Sequence, residues 1–114
     1  MKEINYSVIS DIEEIETLRD KSSFNYKYDE DTISLLKKHF ILKDSLYIFA
    51  KSGDEFVAFC SADRDWWEDD YFFIREILVD PSFQKKHIGW ELMTQCIEHA
   101  KKNGAIGVVT ETAF

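Results

Sequence analysis

The chain has 114 residues, of which 45% are hydrophobic and 32% are charged, a composition that is ordinary for a single soluble globular domain. Its formal net charge of −8 argues against nucleic acid as a partner, because phosphate-binding proteins usually present a basic face. No apolar run reaches transmembrane length and the N-terminus has no signal-peptide core, so we expect one domain over residues 1–114, a cytoplasmic location and no membrane partner.

The first half of the chain predicts a strand, two helices and a hairpin. Asp11 is followed three residues later by Glu14, which is the capping-box pattern of a helix start. Gly53 lies in a short polar turn between two β-rich runs, as in a hairpin. In chain order, the predicted elements are a strand at 4–10, a helix from Asp11, a loop at 21–30, a helix from Asp31 or Thr32, and strands at 46–51 and 55–62.

The second half predicts a long strand, an amphipathic helix and a final strand. The long strand covers Tyr71 to Val79, and the helix places Leu92 and Cys96 on one apolar face. Gly104 is suited to end this helix, and the last strand covers Ala105 to Thr110. The predicted order is therefore β-α-α-β-β-β-α-β, which places the chain in the α/β class.

The segment that joins the long strand to the following helix carries the strongest functional signal. A strand that runs through a short polar loop into a helix brings several backbone N–H groups together at one point. The helix N-terminus adds roughly half a positive elementary charge there. The loop Gln84–Gly89 is therefore predicted to bind a pyrophosphate group through its backbone.

The same segment resembles the acetyl-CoA-binding motif of the GNAT N-acetyltransferase superfamily. The resemblance lies in Val79-Asp80-Pro81 followed by Gln84, His87 and Gly89, with His87 where the family usually has its first glycine. Histidine is among the few residues enriched at positive φ, so the loop conformation remains accessible. The resemblance implies a mixed, mostly antiparallel sheet flanked by helices, with acetyl-CoA as cosubstrate.

The resemblance covers essentially the whole chain and implies a domain that is truncated at its C-terminus. Members of the family normally continue with another helix and two more strands, whereas this sequence stops at Phe114. We expect a fragment of a longer protein, because an exposed sheet end would favour aggregation. The alternative is that another chain completes the sheet, as in a homodimer.

The resemblance also implies which residues hold acetyl-CoA. The backbone of the loop and first helical turn would cradle the diphosphate, while Lys85 and Lys86 add positive charge. The end of the long strand would pair with the pantetheine arm, and one of its N–H groups would polarise the thioester carbonyl. The cofactor-binding residues are thus Ile77, Leu78, Val79, Gln84, Lys85, Lys86, His87, Ile88, Gly89 and Trp90.

Glu76 is the predicted catalytic residue. It interrupts an otherwise apolar strand, and acyl transfer to an amine requires a group that takes the proton of the amine. Many members of the family carry an acid in this part of the strand. The alternative is that Glu76 is an exposed strand-end residue, or pairs with Arg75 or a lysine. We expect Arg75 on the opposite face of the strand, in a structural role.

The acceptor site is predicted in the acidic and aromatic turn before the long strand, where the family tends to place it. Acidic and aromatic groups hold ammonium ions by Coulomb attraction and cation–π contact, which fits a small cationic or peptide amine. The alternative is a solvated acidic turn with one tryptophan on the core. The candidate residues are Asp65, Trp66 and Trp67, with Tyr26 and Tyr28 as an opposite wall.

The sequence therefore favours an enzyme that moves an acetyl group from acetyl-CoA to a primary amine. No His, Cys and Asp grouping has metal-ligand spacing, so no metal is expected. Cys60 and Cys96 are expected as buried hydrophobic residues rather than as a disulfide. The alternative function, favoured by His87 and by the early end of the chain, is a module that binds CoA or a protein without catalysis.

Overall fold

In the computed structural model, the described residues (3–20, 28–64, 67 and 70–110) form one five-stranded sheet with helices on both faces. The elements in chain order are β1 (Ile4–Val8), an N-terminal 3-10 helix (Ile12–Asp20), α1 (Glu30–Phe40), β2 (Leu46–Ser52), β3 (Glu55–Arg64), β4 (Tyr71–Val79), a short 3-10 turn (Pro81–Phe83), α2 (Ile88–Lys102) and β5 (Gly107–Thr110).

The sheet follows the order of the chain, β1-β2-β3-β4-β5. Neighbouring strands from β1 to β4 are antiparallel, and the turn between β2 and β3 contains Gly53 at a φ of 63°. β4 and β5 are parallel, so their connection must cross over the sheet, and α2 makes that crossover. The predicted mixed, mostly antiparallel sheet flanked by helices is confirmed.

The two faces of the sheet have different cores. The α1 face, covered by the N-terminal 3-10 helix and α1, is rich in aromatic rings, whereas the α2 face, covered by α2, is mainly aliphatic. Buried residues on the α1 face include Ile15, Leu18, Tyr28, Ile33, Leu36, Tyr47, Phe49 and Phe59. Buried residues on the α2 face include Ile48, Ala58, Cys60, Ile74, Ile88, Leu92 and Cys96.

The helix starts follow side-chain capping. The Asp11 carboxylate accepts from the Glu13 N–H at 3.0 Å and the Glu14 carboxylate accepts from the Asp11 N–H at 3.3 Å, so the predicted capping box is confirmed, although it opens a 3-10 helix. The predicted start of α1 at Asp31 or Thr32 is wrong. Asp29 caps α1 instead, because its carboxylate accepts from the Thr32 N–H at 2.9 Å.

The predicted bounds of β4 are confirmed, and Gly104 follows the C-cap of α2 at a φ of 80°, as predicted for a helix end. Cys60 and Cys96 are both buried and carry no disulfide. None of the helices in the described ranges is long and apolar enough to cross a membrane.

Candidate functional site

The loop between β4 and α2 is anchored by Asp80. Its carboxylate accepts hydrogen bonds from the N–H and the hydroxyl of Ser82, at 3.0 and 2.8 Å, which caps the short 3-10 turn that Pro81 begins. Its N–H donates to the carbonyl oxygen of Val57 at 2.8 Å, which ties the end of β4 to β3. Asp80 is therefore a buried structural residue that fixes where the loop begins.

The rest of the loop bends through two left-handed residues. Lys85 has a φ of 67° and His87 a φ of 62°, and His87 is the N-cap of α2 without a side-chain capping hydrogen bond. The first helical hydrogen bond in α2 runs from the Glu91 N–H to the His87 carbonyl oxygen at 3.0 Å. The N–H groups of the first turn consequently have no acceptor within the helix and can donate to an anion.

His87 adopts the conformation for which glycine is favoured. A left-handed φ places the side chain of an ordinary residue close to its own backbone, and histidine tolerates this better than most residues. The His87 side chain is exposed and lies outside the core. The departure from the family motif at this position therefore leaves the bend of the loop in place.

The other predicted residues of the loop divide between backbone and side-chain roles. The side chain of Ile88 is 1% exposed and packs in the core, so only its N–H is available to a ligand. Gly89 approaches the end of β4, since a Cβ there would lie 3.9 Å from Cγ2 of Val79. Lys86 reaches back over the Phe83 ring, with its Nζ 5.7 Å from the ring centroid. Exposed side chains in this stretch are those of Gln84, Lys85, Lys86, His87 and Trp90.

One edge of the second half of β4 is open among the described residues. β5 pairs only with Tyr71–Ile74, while β3 pairs with β4 as far as Val79. Because Asp80 directs its N–H to β3 and successive residues alternate between edges, the N–H groups of Ile77 and Val79 face away from β3. The N–H of Leu78 faces β3. Of the three predicted residues, Ile77 and Val79 therefore direct backbone donors to this edge.

A β-bulge at Arg75 decides which face Glu76 occupies. Ser61 pairs with Glu76 and the next residue, Ala62, pairs with Ile74, so Arg75 is an extra residue in β4. Ile74 belongs to the core of the α2 face, and without the bulge Glu76 would lie on that face too. The bulge moves Glu76 to the α1 face.

The expectation that Arg75 lies on the opposite face from Glu76 is wrong for the same reason. The guanidinium of Arg75 donates to the Asp63 carboxylate through Nε at 3.1 Å and Nη2 at 2.9 Å, and it lies 4.6 Å from the centroid of the Phe73 ring. Phe73 pairs with Asp63, so both contacts lie on the α1 face. Arg75 is thus directed to Asp63 rather than to Glu76.

Glu76 is half-buried beside the aromatic core of the α1 face. Burial raises the pKa of the Glu76 carboxyl above its ordinary value, and the neighbouring Tyr28 side chain lowers this pKa and so offsets part of the rise. The Tyr28 side chain is 1% exposed. A partly dehydrated carboxylate with a raised pKa is a stronger base than an exposed one, so this residue can accept a proton.

Asp63 was not among the predicted site residues, although it organises this face. Its carboxylate is completely buried, and besides Arg75 it lies 3.2 Å from Nδ1 of His39 near the end of α1. In the sequence, Asp63 is only one acid of the acidic stretch that follows the predicted strand at 55–62. Its partners, which come from α1 and β4, could not be identified before the pairing of β3 with β4 was known.

Comparisons with known proteins place this fold in a family. The profile of the acetyltransferase (GNAT) family matches residues 10–113. The chain belongs to the GNAT acetyltransferase family. No curated protein sequence matches it.

Solved structures share the fold of this GNAT domain at low sequence identity. A GNAT family acetyltransferase from Staphylococcus aureus is 16% identical, with a TM-score of 0.70 over 100% of this chain and 89% of that chain. An aminoglycoside N-acetyltransferase in complex with CoA is 15% identical, with a TM-score of 0.74 over 99% and 79%. The ribosomal-protein-S18-alanine N-acetyltransferase from Escherichia coli is 16% identical, with a TM-score of 0.73 over 96% and 67%.

The predicted acceptor residues are only partly described in this GNAT domain. Tyr26, Asp65 and Trp66 lie outside the described residues. Trp67 is 76% exposed, and Tyr28 is buried. The prediction of Tyr28 as an open wall of the acceptor site is therefore wrong, because its ring lies in the aromatic core.

No metal centre is formed by the residues that the structure describes. Within the ranges 3–20, 28–64, 67 and 70–110, no group of three or more His, Cys, Asp and Glu side chains could hold a metal ion. The candidate site consists instead of backbone donors at the end of β4 and the start of α2, with one carboxylate on the α1 face.

Proposed function

We propose that this GNAT domain transfers the acetyl group of acetyl-CoA to a primary amine by direct attack, without a covalent enzyme intermediate. The observation that carries the proposal is the half-buried Glu76 carboxyl with a raised pKa, in the same strand as the backbone donors Ile77 and Val79 and within three residues of both. Family membership supplies the reaction type and the cosubstrate. The acceptor is proposed below from charge and exposure.

The diphosphate of acetyl-CoA is proposed to bind at the start of α2. The N–H groups of the first turn, Ile88 to Trp90, point out of the helix N-terminus, where the helix dipole favours an anion. The left-handed bends at Lys85 and His87 allow the loop backbone to curve around a phosphate. Lys85 and Lys86 add positive charge in a chain that is otherwise acidic.

The thioester is proposed to lie along the open edge of β4. The N–H of Ile77 or Val79 would donate to the thioester carbonyl oxygen and stabilise the oxyanion that forms as the amine attacks. Glu76 lies between these two residues and the bulge. It would take the proton of the attacking ammonium, directly or through water, so that a neutral amine is available. The thiolate of CoA leaves as the amide forms.

The acceptor is proposed to be a small cationic molecule or a peptide amine. The chain carries 22 acidic against 14 basic residues, which attracts cations, and Trp67 offers an exposed aromatic ring in the turn before β4. The structural relatives named above include an aminoglycoside enzyme and a ribosomal-protein alanine enzyme. Both classes of amine are therefore the first acceptors to test.

The proposal is tested first by calorimetry with acetyl-CoA. We expect micromolar binding by the wild type and loss of binding in Gly89→Phe, because a bulky ring would stand where the diphosphate must approach the backbone. Ile97→Phe is the matched control, since it adds an aromatic ring to an exposed position further along α2. Equal binding by the wild type and Gly89→Phe would overturn the proposed cradle.

The second test is a screen for turnover, with release of the CoA thiol as the readout. Polyamines, aminoglycosides and peptides with an N-terminal alanine are the acceptors to compare. Acetylation of any of them, lost in Glu76→Gln, supports the proposal. Binding of acetyl-CoA without turnover of any amine would instead favour the alternative, a CoA-binding module without catalysis.

A further inference from the structure

Cys60 and Cys96 form a buried pair between the sheet and α2. Cys60 lies in β3, which pairs with β2 on one edge and with β4 on the other, and Cys96 lies in the middle of α2, 36 residues further along the chain. Their Sγ atoms are 3.4 Å apart, so one thiol donates a hydrogen bond to the other. The two side chains are 0% and 2% exposed. The fold therefore brings together the two cysteines that the chain contains.

Ordinary core packing does not require thiols at these two places. A buried free cysteine behaves as a small hydrophobic residue, and alanine fills the neighbouring positions of that kind. Ala58 lies on the same face of β3, and Ala100 lies one turn further along α2, and both are buried. What distinguishes a cysteine pair from alanines is its chemistry, since two adjacent thiols can be joined by a covalent bond.

The distance between the two sulfurs suits bond formation. A disulfide holds its sulfurs at about 2.05 Å, so the observed separation has to shrink by ~1.3 Å. The sulfurs are already in contact, and this movement can be shared between the two side chains and the packing of α2 on the sheet. Bond formation consequently needs a local adjustment rather than a rearrangement of the fold.

The contact makes the two thiols unequal as acids. The hydrogen bond with Cys96, together with burial, raises the pKa of the Cys60 thiol. The same hydrogen bond lowers the pKa of Cys96, because the S–H group of Cys60 stabilises the Cys96 thiolate by more than burial disfavours it. A thiolate attacks an oxidant, whereas a thiol does not, so Cys96 is the sulfur that we expect to react first.

We propose that Cys60 and Cys96 are a redox modification site, at which a small peroxide converts the pair into an intramolecular disulfide that clamps α2 to β3. The inference is independent of the proposed acetyl transfer, since it uses neither Glu76 nor the loop before α2. Burial selects the oxidant. Hydrogen peroxide is little larger than water and reaches the core through small local openings, which exclude bulky disulfide reagents.

The oxidation balances in two steps. The Cys96 thiolate attacks one oxygen of hydrogen peroxide, the O–O bond breaks, and the departing hydroxide takes up the proton that Cys96 released, which forms water and a sulfenic acid. Cys60 then gives up its proton and its sulfur attacks the Cys96 sulfur, so that the S–O bond breaks and a second water leaves. The two thiols lose two electrons and the peroxide gains them. A dithiol reductant reverses the change by thiol–disulfide exchange.

The disulfide is expected to stabilise the folded domain. It would close a segment of 36 residues that contains β4 and the loop before α2. A cross-link of this span restricts the unfolded chain far more than the folded one, in which the two sulfurs already touch. For a domain of this size we expect Tm to rise by ~10 °C.

The test starts from the reduced wild-type protein and requires no substrate. The folded protein is treated with hydrogen peroxide, catalase removes the excess, and free thiols are counted after unfolding, with the linked peptides identified by mass spectrometry. We expect both thiols to disappear together in a monomer and one pair of peptides to be joined through Cys60 and Cys96. The oxidised protein should show the rise in Tm, and dithiothreitol should restore both thiols and the original Tm.

The control is Cys96→Ala, which keeps Cys60 and replaces its partner with a small residue that favours the helix. Its Tm should not rise with peroxide. If this variant does not fold, one half of the oxidised wild type is treated with dithiothreitol and compared with the other half. Dithiothreitol leaves any sulfoxide of Met93 in place, so a reversed shift belongs to the disulfide.

Survival of both thiols in the folded protein, with oxidation only after unfolding in urea, would overturn the inference and leave the pair as ordinary core residues. A disulfide that joins two chains, or a sulfinic acid on one cysteine beside an unchanged thiol on the other, would overturn it as well. A disulfide that lowers Tm would contradict the clamp, because the bond would then strain the packing of α2 on the sheet.

Discussion

The proposed diphosphate cradle (Gln84 to Trp90) and the proposed carboxylate site on the α1 face are built from different parts of the chain. The cradle uses backbone N–H groups, and the side chains of its loop are mostly exposed. The α1-face site uses side chains, the Glu76 carboxyl and the ion pair of Asp63 with Arg75, which are buried or half-buried. One site therefore depends on backbone conformation, and the other depends on residue identity.

This difference explains how the cradle tolerates substitution. His87 has a φ of 62° where the family motif usually has glycine, so the bend survives although the residue differs. A bend made by the backbone can form with different side chains, provided that each tolerates the left-handed conformation. Side chains that meet across β3, β4 and α1 have no such freedom.

The largest expected effect comes from Glu76→Gln. We expect kcat to fall by ~10²–10³-fold with no change in acetyl-CoA affinity, because the base is lost and the cradle is untouched. Retention of more than a tenth of kcat would contradict the assigned role. Glu55→Gln, at the exposed first residue of β3, is the control and should match the wild type.

Glu76→Gln is also expected to affect the thermal stability of the protein. Burial raises the pKa of Glu76 above its ordinary value of 4.5, so the folded protein binds this proton more strongly than the unfolded chain. The contribution of Glu76 to stability is therefore lost as the pH rises through the raised value. Glu76→Gln should melt no lower than the wild type at pH 7, whereas a marked drop in Tm would indicate a structural role.

Asp63→Asn is expected to affect stability rather than cofactor binding. The substitution leaves Arg75 without its carboxylate partner in a buried position, which should lower the free energy of unfolding by ~2 kcal/mol. The Arg75 side chain is 32% exposed, so the loss should stay below that of a fully buried pair. Urea unfolding measures it, with Asp54→Asn in the exposed turn as the control.

Acetyl-CoA affinity should be unchanged in Asp63→Asn. A tenfold loss of affinity at unchanged stability would mean that the α1-face side chains contribute to acetyl-CoA binding. The two proposed sites would then not be independent.

Two substitutions at His87 test whether acetyl-CoA binding depends on the backbone conformation of the loop or on the imidazole side chain. His87→Val places a β-branched residue at a left-handed φ, which should distort the loop and weaken acetyl-CoA binding by ~10-fold. His87→Gly relieves the same strain and should bind within ~3-fold of the wild type or better. Calorimetry on both variants is decisive, since equal losses would assign binding to the imidazole rather than to the backbone.

The local structure of the loop before α2 could be predicted from the sequence better than the arrangement of side chains on the α1 face, for a physical reason. The loop from Asp80 to Gly89 is one continuous segment, so its turn residues and helix start are local signals. The bulge at Arg75 arises only when β4 pairs with β3, where Ala62 opposite Ile74 and Ser61 opposite Glu76 are distant in the chain. Its consequence, that Glu76 and Arg75 share a face, could not be inferred from strand alternation.

The burial of Tyr28 also could not be predicted from the local sequence. The sequence places it at the end of a polar and aromatic loop, next to Asp29, which caps α1. Only the packing of α1 on the sheet turns its ring onto Phe59 and away from solvent. A residue that the sequence suggested as a wall of the acceptor site belongs to the core.

The smallest expected effect is that of Gly89→Ala, and it separates folding from binding within the cradle. A Cβ at this position would lie 3.9 Å from Cγ2 of Val79, which is an ordinary contact. Alanine also favours the helix over glycine, so the free energy of unfolding should rise by ~0.5 kcal/mol. Acetyl-CoA affinity should nevertheless fall by ~3-fold, because the added methyl lies at the backbone that the diphosphate is proposed to approach. A thermal melt and a calorimetric titration of one preparation give both numbers. Higher stability with undiminished affinity would show that the diphosphate lies away from Gly89, and would move the proposed contact towards Lys85 and His87.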